Sequence, residues 1–357
     1  MSAMDTLDNF YLCAQLGGAP GEDRLALDNR NLWPNGSEIV VNMWGIISQS
    51  DFVRSKVIQY ANEWSLYANL TFKFMDRDAP GDSDIRISFT SGAGSWSQIG
   101  TAAKSVPQSE PTMNFGWFND ESTEEVFRRT VIHEFGHAIG CIHEQASPVA
   151  DIPWNKPAVY EYYLRTNGWN QARVDGNIFA KRAQAITLNT NWDKTSIMQY
   201  AYPAELTLDG SSVGWNTVLS NLDKTFVMRC YPRDGIVRNT QDGVYLVNRV
   251  RGNQRASGVA YYANFGNNNG QGPDDYVEVS NDDYAWWENG GQVTFGSGAH
   301  VRAVVKWNLA DDAGRSPLFT RVGFAEKSGE KWNVYRDDGR VLYERDGWQV
   351  QAMFWAF

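Results

Sequence analysis

Between residues 50 and 69 the apolar side chains Phe52, Val53, Val57, Ile58, Ala61, Trp64 and Ala68 recur at spacings of three and four. That period predicts an amphipathic helix whose single stripe packs on a sheet. A second stripe, Val126, Phe127, Val131, Phe135 and Ala138, runs to Gly140, and Ser122 and Glu125 ahead of it have the spacing of a capping box. Around these helices, residues 38–44, 84–89 and 112–117 read as strands. From Asp234 onward the helical period fades. Short strand-like runs take over at 244–250, 259–265, 276–279, 301–307, 318–324, 331–335, 341–344 and 350–355, separated by Asn289-Gly290-Gly291, Asp338-Gly339 and Asp346-Gly347. The pattern predicts an α+β fold class: a mixed sheet with helices, followed by an all-β, sandwich-like domain.

Pro232 and Gly235 interrupt both patterns, which places a boundary there and gives three segments: 1–30, 31–234 and 235–357. Two cores suit 357 residues, since single domains typically hold ~100–200. Composition excludes several classes. With 42% hydrophobic residues, 17 Phe, 16 Tyr and 15 Trp, the chain has too much to bury for a disordered polypeptide. A net charge of −10 lacks the cationic field that nucleic acid binding uses, so no nucleic acid partner is expected. No run approaches the ~18–20 apolar residues of a membrane span. Asp5 and Asp8 stand where a secretory signal would carry a basic start and an apolar core, so no signal peptide is expected in this chain.

The chemistry concentrates in one segment. Of the 4 histidines, His133, His137 and His143 fall in His-Glu-Phe-Gly-His-Ala-Ile-Gly-Cys-Ile-His-Glu. Positions i and i+4 share a helix face, so His133 and His137 can each offer a ring nitrogen to one ion, and imidazole suits Zn²⁺. Continuing the helix to His143 would rotate that side chain by ~240°. The helix must therefore stop, and Gly140 is the residue that tolerates a left-handed C′ position. Three neutral ligands leave a fourth position for water, and Glu134, directly after the first ligand, is placed to act as general base. A helix with histidines merely satisfied in its core would need neither Glu134, nor Gly140, nor the third histidine.

This motif resembles the metzincin zinc peptidases, and Glu144 after the third histidine resembles their astacin branch. Ser196-Ile197-Met198-Gln199-Tyr200 is similar to that family's Met-turn. The resemblance implies a metzincin-like catalytic domain over 31–234, a zinc endopeptidase acting on protein or peptide substrates, Met198 as an apolar floor beneath the imidazoles, and Tyr200 as the residue that stabilises the oxyanion. It implies a supporting role for Glu144, and an extracellular setting despite the absent signal. Residues 94–100 resemble the segment entering an edge strand that pairs with extended substrate. The chain departs from the family in having Gln145-Ala146-Ser147-Pro148 where an arginine usually follows, and in showing no aspartate-bearing propeptide motif in 1–30.

Residues 1–30 remain a candidate propeptide, and Cys13 within them a candidate inhibitory thiolate for the fourth zinc position. A disulfide to Cys141 or Cys230, or simple burial, are the other readings of Cys13. In the tail, Tyr261, Tyr262, Trp286, Trp287, Trp307, Trp332, Trp348 and Trp355 either fill the core or stack on a glycan or protein partner. Two functions follow: a zinc endopeptidase with an accessory β domain for substrate or partner binding, or a binding or toxin-like protein whose zinc site is latent or vestigial. Retention of Glu134 favours the first.

Overall fold

The computed structural model describes residues 31–44, 50–76, 81–147, 150–181, 192–233, 242–263, 270–296, 304–309, 316 and 318–357. The chain divides into two compact units, 1–237 and 238–357. Cys13 lies outside the described residues.

In the first unit, β1 (Glu38–Met43) alternates buried Ile39, Val41 and Met43 with more exposed neighbours, the signature of a strand with one face on a core. It pairs in parallel with β2 (Thr71–Phe74) and β3 (Ile85–Ser88). Next to β3, β5 (Met113–Asn114) is also parallel, and β4 (Trp96–Ser97) closes the sheet antiparallel to it. The order is β2-β1-β3-β5-β4, so the sheet is mixed and β4 is an edge.

Helix α1 (Asp51–Ser65) buries Val53, Val57, Tyr60, Ala61 and Trp64 along the expected stripe, and the Ser50 hydroxyl accepts from the Val53 amide to cap it. It ends before Asn69. The Asn69 amide turns instead to the Tyr231 carbonyl at 2.8 Å, which leads the chain into β2. Helix α2 (Glu124–Ala138) lies against α1, with the Trp64 indole donating to the Ile132 carbonyl at 2.8 Å. Its cap is Thr123, one residue later than the sequence pattern suggests. Thr123 accepts from the Val126 amide, while the Ser122 hydroxyl accepts from the Asn119 amide in the preceding turn. Helices α3 (Lys156–Asn167), α4 (Gln171–Val174) and α5 (Asn221–Cys230) complete the described α-helices of this unit.

The second unit is antiparallel throughout. Its strands are β6 (Gly243–Arg251), β7 (Gln254–Tyr262), β8 (Asp275–Ser280), β9 (Gly291–Thr294), β10 (Val304–Leu309), β11 (Arg321–Lys327), β12 (Glu330–Arg336), β13 (Val341–Arg345) and β14 (Trp348–Ala356). They form one hydrogen-bonded path, β8-β7-β6-β14-β12-β11-β10-β9, with β13 added on β14. Val244, Leu246, Val259, Trp332, Val334 and Phe354 build a core on one face. On the other face Tyr335, Trp355 and Phe357 stack on one another, so the central strands are covered on both sides. Tyr261, Tyr262, Trp287, Trp332 and Trp355 are buried, whereas Trp286 is 78% exposed.

Candidate active site

The end of α2 sets the geometry. Gly140 has φ +107°, a conformation open to glycine, and the chain reverses there, with the Cys141 amide returning to the Gly136 carbonyl at 2.9 Å. Two distant aromatics cap the carbonyls that a helix leaves unpaired at this end. The Trp33 indole donates to Ala138 O at 2.8 Å and the Tyr231 hydroxyl to Ile139 O at 2.6 Å. The reversal brings His143 back to the helix. His137 Nε2 and His143 Nε2 stand 3.1 Å apart, and one ring nitrogen from each of the three histidines lies within 4.8 Å of the others.

Zinc fits this set. Ligands held tetrahedrally at ~2.0–2.1 Å from one ion stand ~3.3 Å from each other, close to the 3.1 Å between His137 and His143. His133 Nδ1 donates to Ile197 O and His137 Nδ1 to Cys141 O, both at 2.8 Å. A carbonyl can only accept, so Nδ1 carries the proton in both rings and Nε2 keeps its lone pair for a metal. His133 Nε2 is buried with no hydrogen-bond partner, an arrangement that a metal ligand explains and a core histidine does not. Burial also pushes the His133 imidazolium down to about 4, which keeps the ring neutral.

Glu134 is buried on α2 and, with His133 and Tyr200, lines an open cleft. The Tyr200 ring lies 4.1 Å from that of His143. Met198 is buried, and its Sδ sits so close to Gly136 that a Cβ there would meet it at 2.5 Å. Glu144 accepts the Asp193 amide at 2.8 Å, and its own amide donates to Met198 O at 3.0 Å. Burial raises its carboxyl well above the ordinary carboxylate range, with Asp193 and Asp223 adding to the rise. Cys141 and Cys230 are buried free thiols, and burial pushes that of Cys230 up to about 12.

Several contributors escape sequence reasoning. Asp223, at the third position of α5, accepts from Ser196 Oγ at 2.7 Å and from the Ile197 and Ser220 amides at 2.9 Å, holding the turn whose carbonyl orients His133. The Ser220-x-x-Asp223 spacing was a readable helix start, but nothing along the chain ties it to Ile197. Arg129 lines the cleft from α2, its guanidinium 4.1 Å from the Trp215 ring centre. Gln145 is fully buried and accepts from the Tyr200 amide at 3.3 Å.

A mixed sheet, a helix carrying two ligands one turn apart, a glycine reversal and a third ligand beyond it define a zinc metallopeptidase centre. The model of the astacin peptidase family matches residues 27–221, more than half of the 357, and the chain belongs to that family. Among solved structures, that of myroilysin is 49% identical with a TM-score of 0.56, covering 58% of this chain and 98% of its own. High choriolytic enzyme 1, a hatching enzyme zinc-protease from the medaka Oryzias latipes, is 18% identical with a TM-score of 0.40, covering 59% of this chain and 98% of its own. Protein SpAN of Strongylocentrotus purpuratus is 29% identical over 163 residues, 42% of this chain, and the match spans only 23% of that protein's length.

Proposed function

We propose that this protein is a zinc-dependent endopeptidase, and the observation that carries the reading is a buried carboxylate, Glu134, lining one cleft with His133, whose ring converges with those of His137 and His143. His133, His137 and His143 would hold the metal. When bound, zinc supplies a Lewis acid that polarises a carbonyl and lowers the pKa of water toward ~7. Glu134 takes the proton of the attacking water and returns it to the leaving amine. The Tyr200 hydroxyl donates to the oxygen on which charge develops. An extended peptide pairs with β4, the sheet edge, across the cleft. The exposed indole of Trp286 supports a role for the second unit in substrate or partner binding, and family membership supports an extracellular setting.

One panel tests this reading. Casein digestion is lost on chelation and restored by zinc. Glu134→Gln keeps one zinc per chain and loses turnover, and Tyr200→Phe lowers kcat about 10–100-fold with little change in KM. Trp286→Ala leaves short-peptide hydrolysis intact and slows digestion of a large substrate. Undiminished proteolysis by Glu134→Gln overturns the general-base role.

A further inference from the structure

Past the third histidine, the backbone carbonyls of Gln145 and Ala150 accept from a side chain rather than from their own turn. Lys181 reaches them from far along the chain: its Nζ donates to Gln145 O at 2.8 Å and to Ala150 O at 2.6 Å. An ammonium has three donors and no acceptor, so one side chain ties Gln145 to Ala150. Partial burial lowers the pKa of the Lys181 ammonium, and the charges of Asp151 and Glu144 oppose that shift. Gln145 therefore stands between two groups. Its backbone oxygen is held by Lys181, and its side-chain Oε1 receives the Tyr200 amide at 3.3 Å. Tyr200 in turn packs on the ring of His143, and Glu144, the residue between His143 and Gln145, accepts the Asp193 amide just before the turn that bears Met198.

We propose that Lys181 is a positioning residue for the zinc centre, fixing Gln145 and through it the placement of His143 and Tyr200. The hydrogen bonds of Lys181 go to Gln145 and Ala150, which are neither histidine ligands nor cleft-lining residues, so its influence travels through the peptide groups it binds. The effect on turnover rests on the endopeptidase reading above. The effect on metal affinity does not, because it concerns the histidine set alone. A guanidinium also supplies several donors and can serve both carbonyls, whereas a thioether of similar length supplies none.

The test compares wild type, Lys181→Met and Lys181→Arg in the full chain, measuring zinc dissociation constant by competition with a chelating dye, kcat and KM at saturating zinc, and melting temperature. Lys181→Met is expected to bind zinc about 10-fold more weakly, the lower end of what outer-shell partners of metal ligands contribute. Its kcat falls several-fold while KM stays within about twofold, and Lys181→Arg recovers most of both losses. Wild-type zinc affinity in Lys181→Met overturns the proposal, whatever the activity. So does a lowered melting temperature with unchanged zinc affinity and kcat, which marks a merely structural lysine, or an equal loss in Lys181→Arg. A wild type that binds zinc but cleaves no peptide, with the affinity change still present in Lys181→Met, sinks the endopeptidase reading and leaves the positioning role standing.

Discussion

Arg129 brings a positive charge into the candidate cleft one helical turn before His133. Its guanidinium lies over the indole of Trp215, an arrangement that holds the plane of the group in place and leaves its edge donors for a ligand. Cleavage is expected to favour peptides with an acidic side chain near the scissile bond. In a matched series, Arg129→Gln reduces kcat/KM for the acidic peptide about tenfold relative to its amide counterpart, as expected for loss of a charge-assisted bond of ~1.5–3 kcal/mol in part-solvated surroundings. Equal losses for both peptides would contradict this. Gly136 poses a packing problem at the same scale. A Cβ there meets Met198 Sδ at 2.5 Å and the Trp64 ring at 3.0 Å, so Gly136→Ala must push the turn away from the helix. The cost is about 1–3 kcal/mol, read as a lower denaturation midpoint at unchanged slope. The histidine spacing was open to inspection in the sequence because it is local. Gly136 was silent, because what forbids a side chain there arrives from Met198 through the fold.

Helix α2 does its work by ending in the right place, and that ending is built by other elements. Replacing Tyr231 with Phe removes the hydroxyl that donates to Ile139 O and accepts the Trp33 amide, leaving a buried carbonyl short of a donor. Such a loss costs about 1–3 kcal/mol, and urea unfolding should register it. The reversal it supports carries His143, so zinc affinity should weaken alongside stability. A variant with wild-type affinity would show that Gly140 and the Trp33 cap fix the turn without the Tyr231 hydroxyl. Elements with strong periodicity were legible: α1, α2, β1 and most strands of the second unit follow the apolar pattern. Those held by few contacts were not. β4 is two residues long, β9 begins on Gly291 within what reads as a turn, and α3 buries only Val159 and Tyr163. The arginine absent after Glu144 was also legible, but Lys181 acting on that segment was not, since only tertiary structure brings residues 145 and 181 together.

At the scale of the molecule, the two units have separate apolar cores and unequal claims on metal. Every ligand of the zinc site lies in the first unit, while residues 238–357 contain one histidine, His300, and no cysteine. Binding to the folded state alone stabilises by ~4 kcal/mol at a thousandfold excess over the dissociation constant. For a unit of this size ~1 kcal/mol moves the melting temperature by about 2–4 °C. Calorimetry of the full chain is therefore expected to resolve two transitions. Adding a chelator should lower one by about 8–16 °C and leave the other within ~1 °C. Re-addition of zinc should reverse the shift, because the ligand nitrogens survive mild metal removal. Glu134→Gln, which spares the ligands, should retain the full difference between metal-free and zinc-loaded forms, separating the metal's contribution to folding from its contribution to chemistry. If both transitions moved together, the two cores would have to unfold as one cooperative body, and the division of the chain into units would carry no thermodynamic meaning.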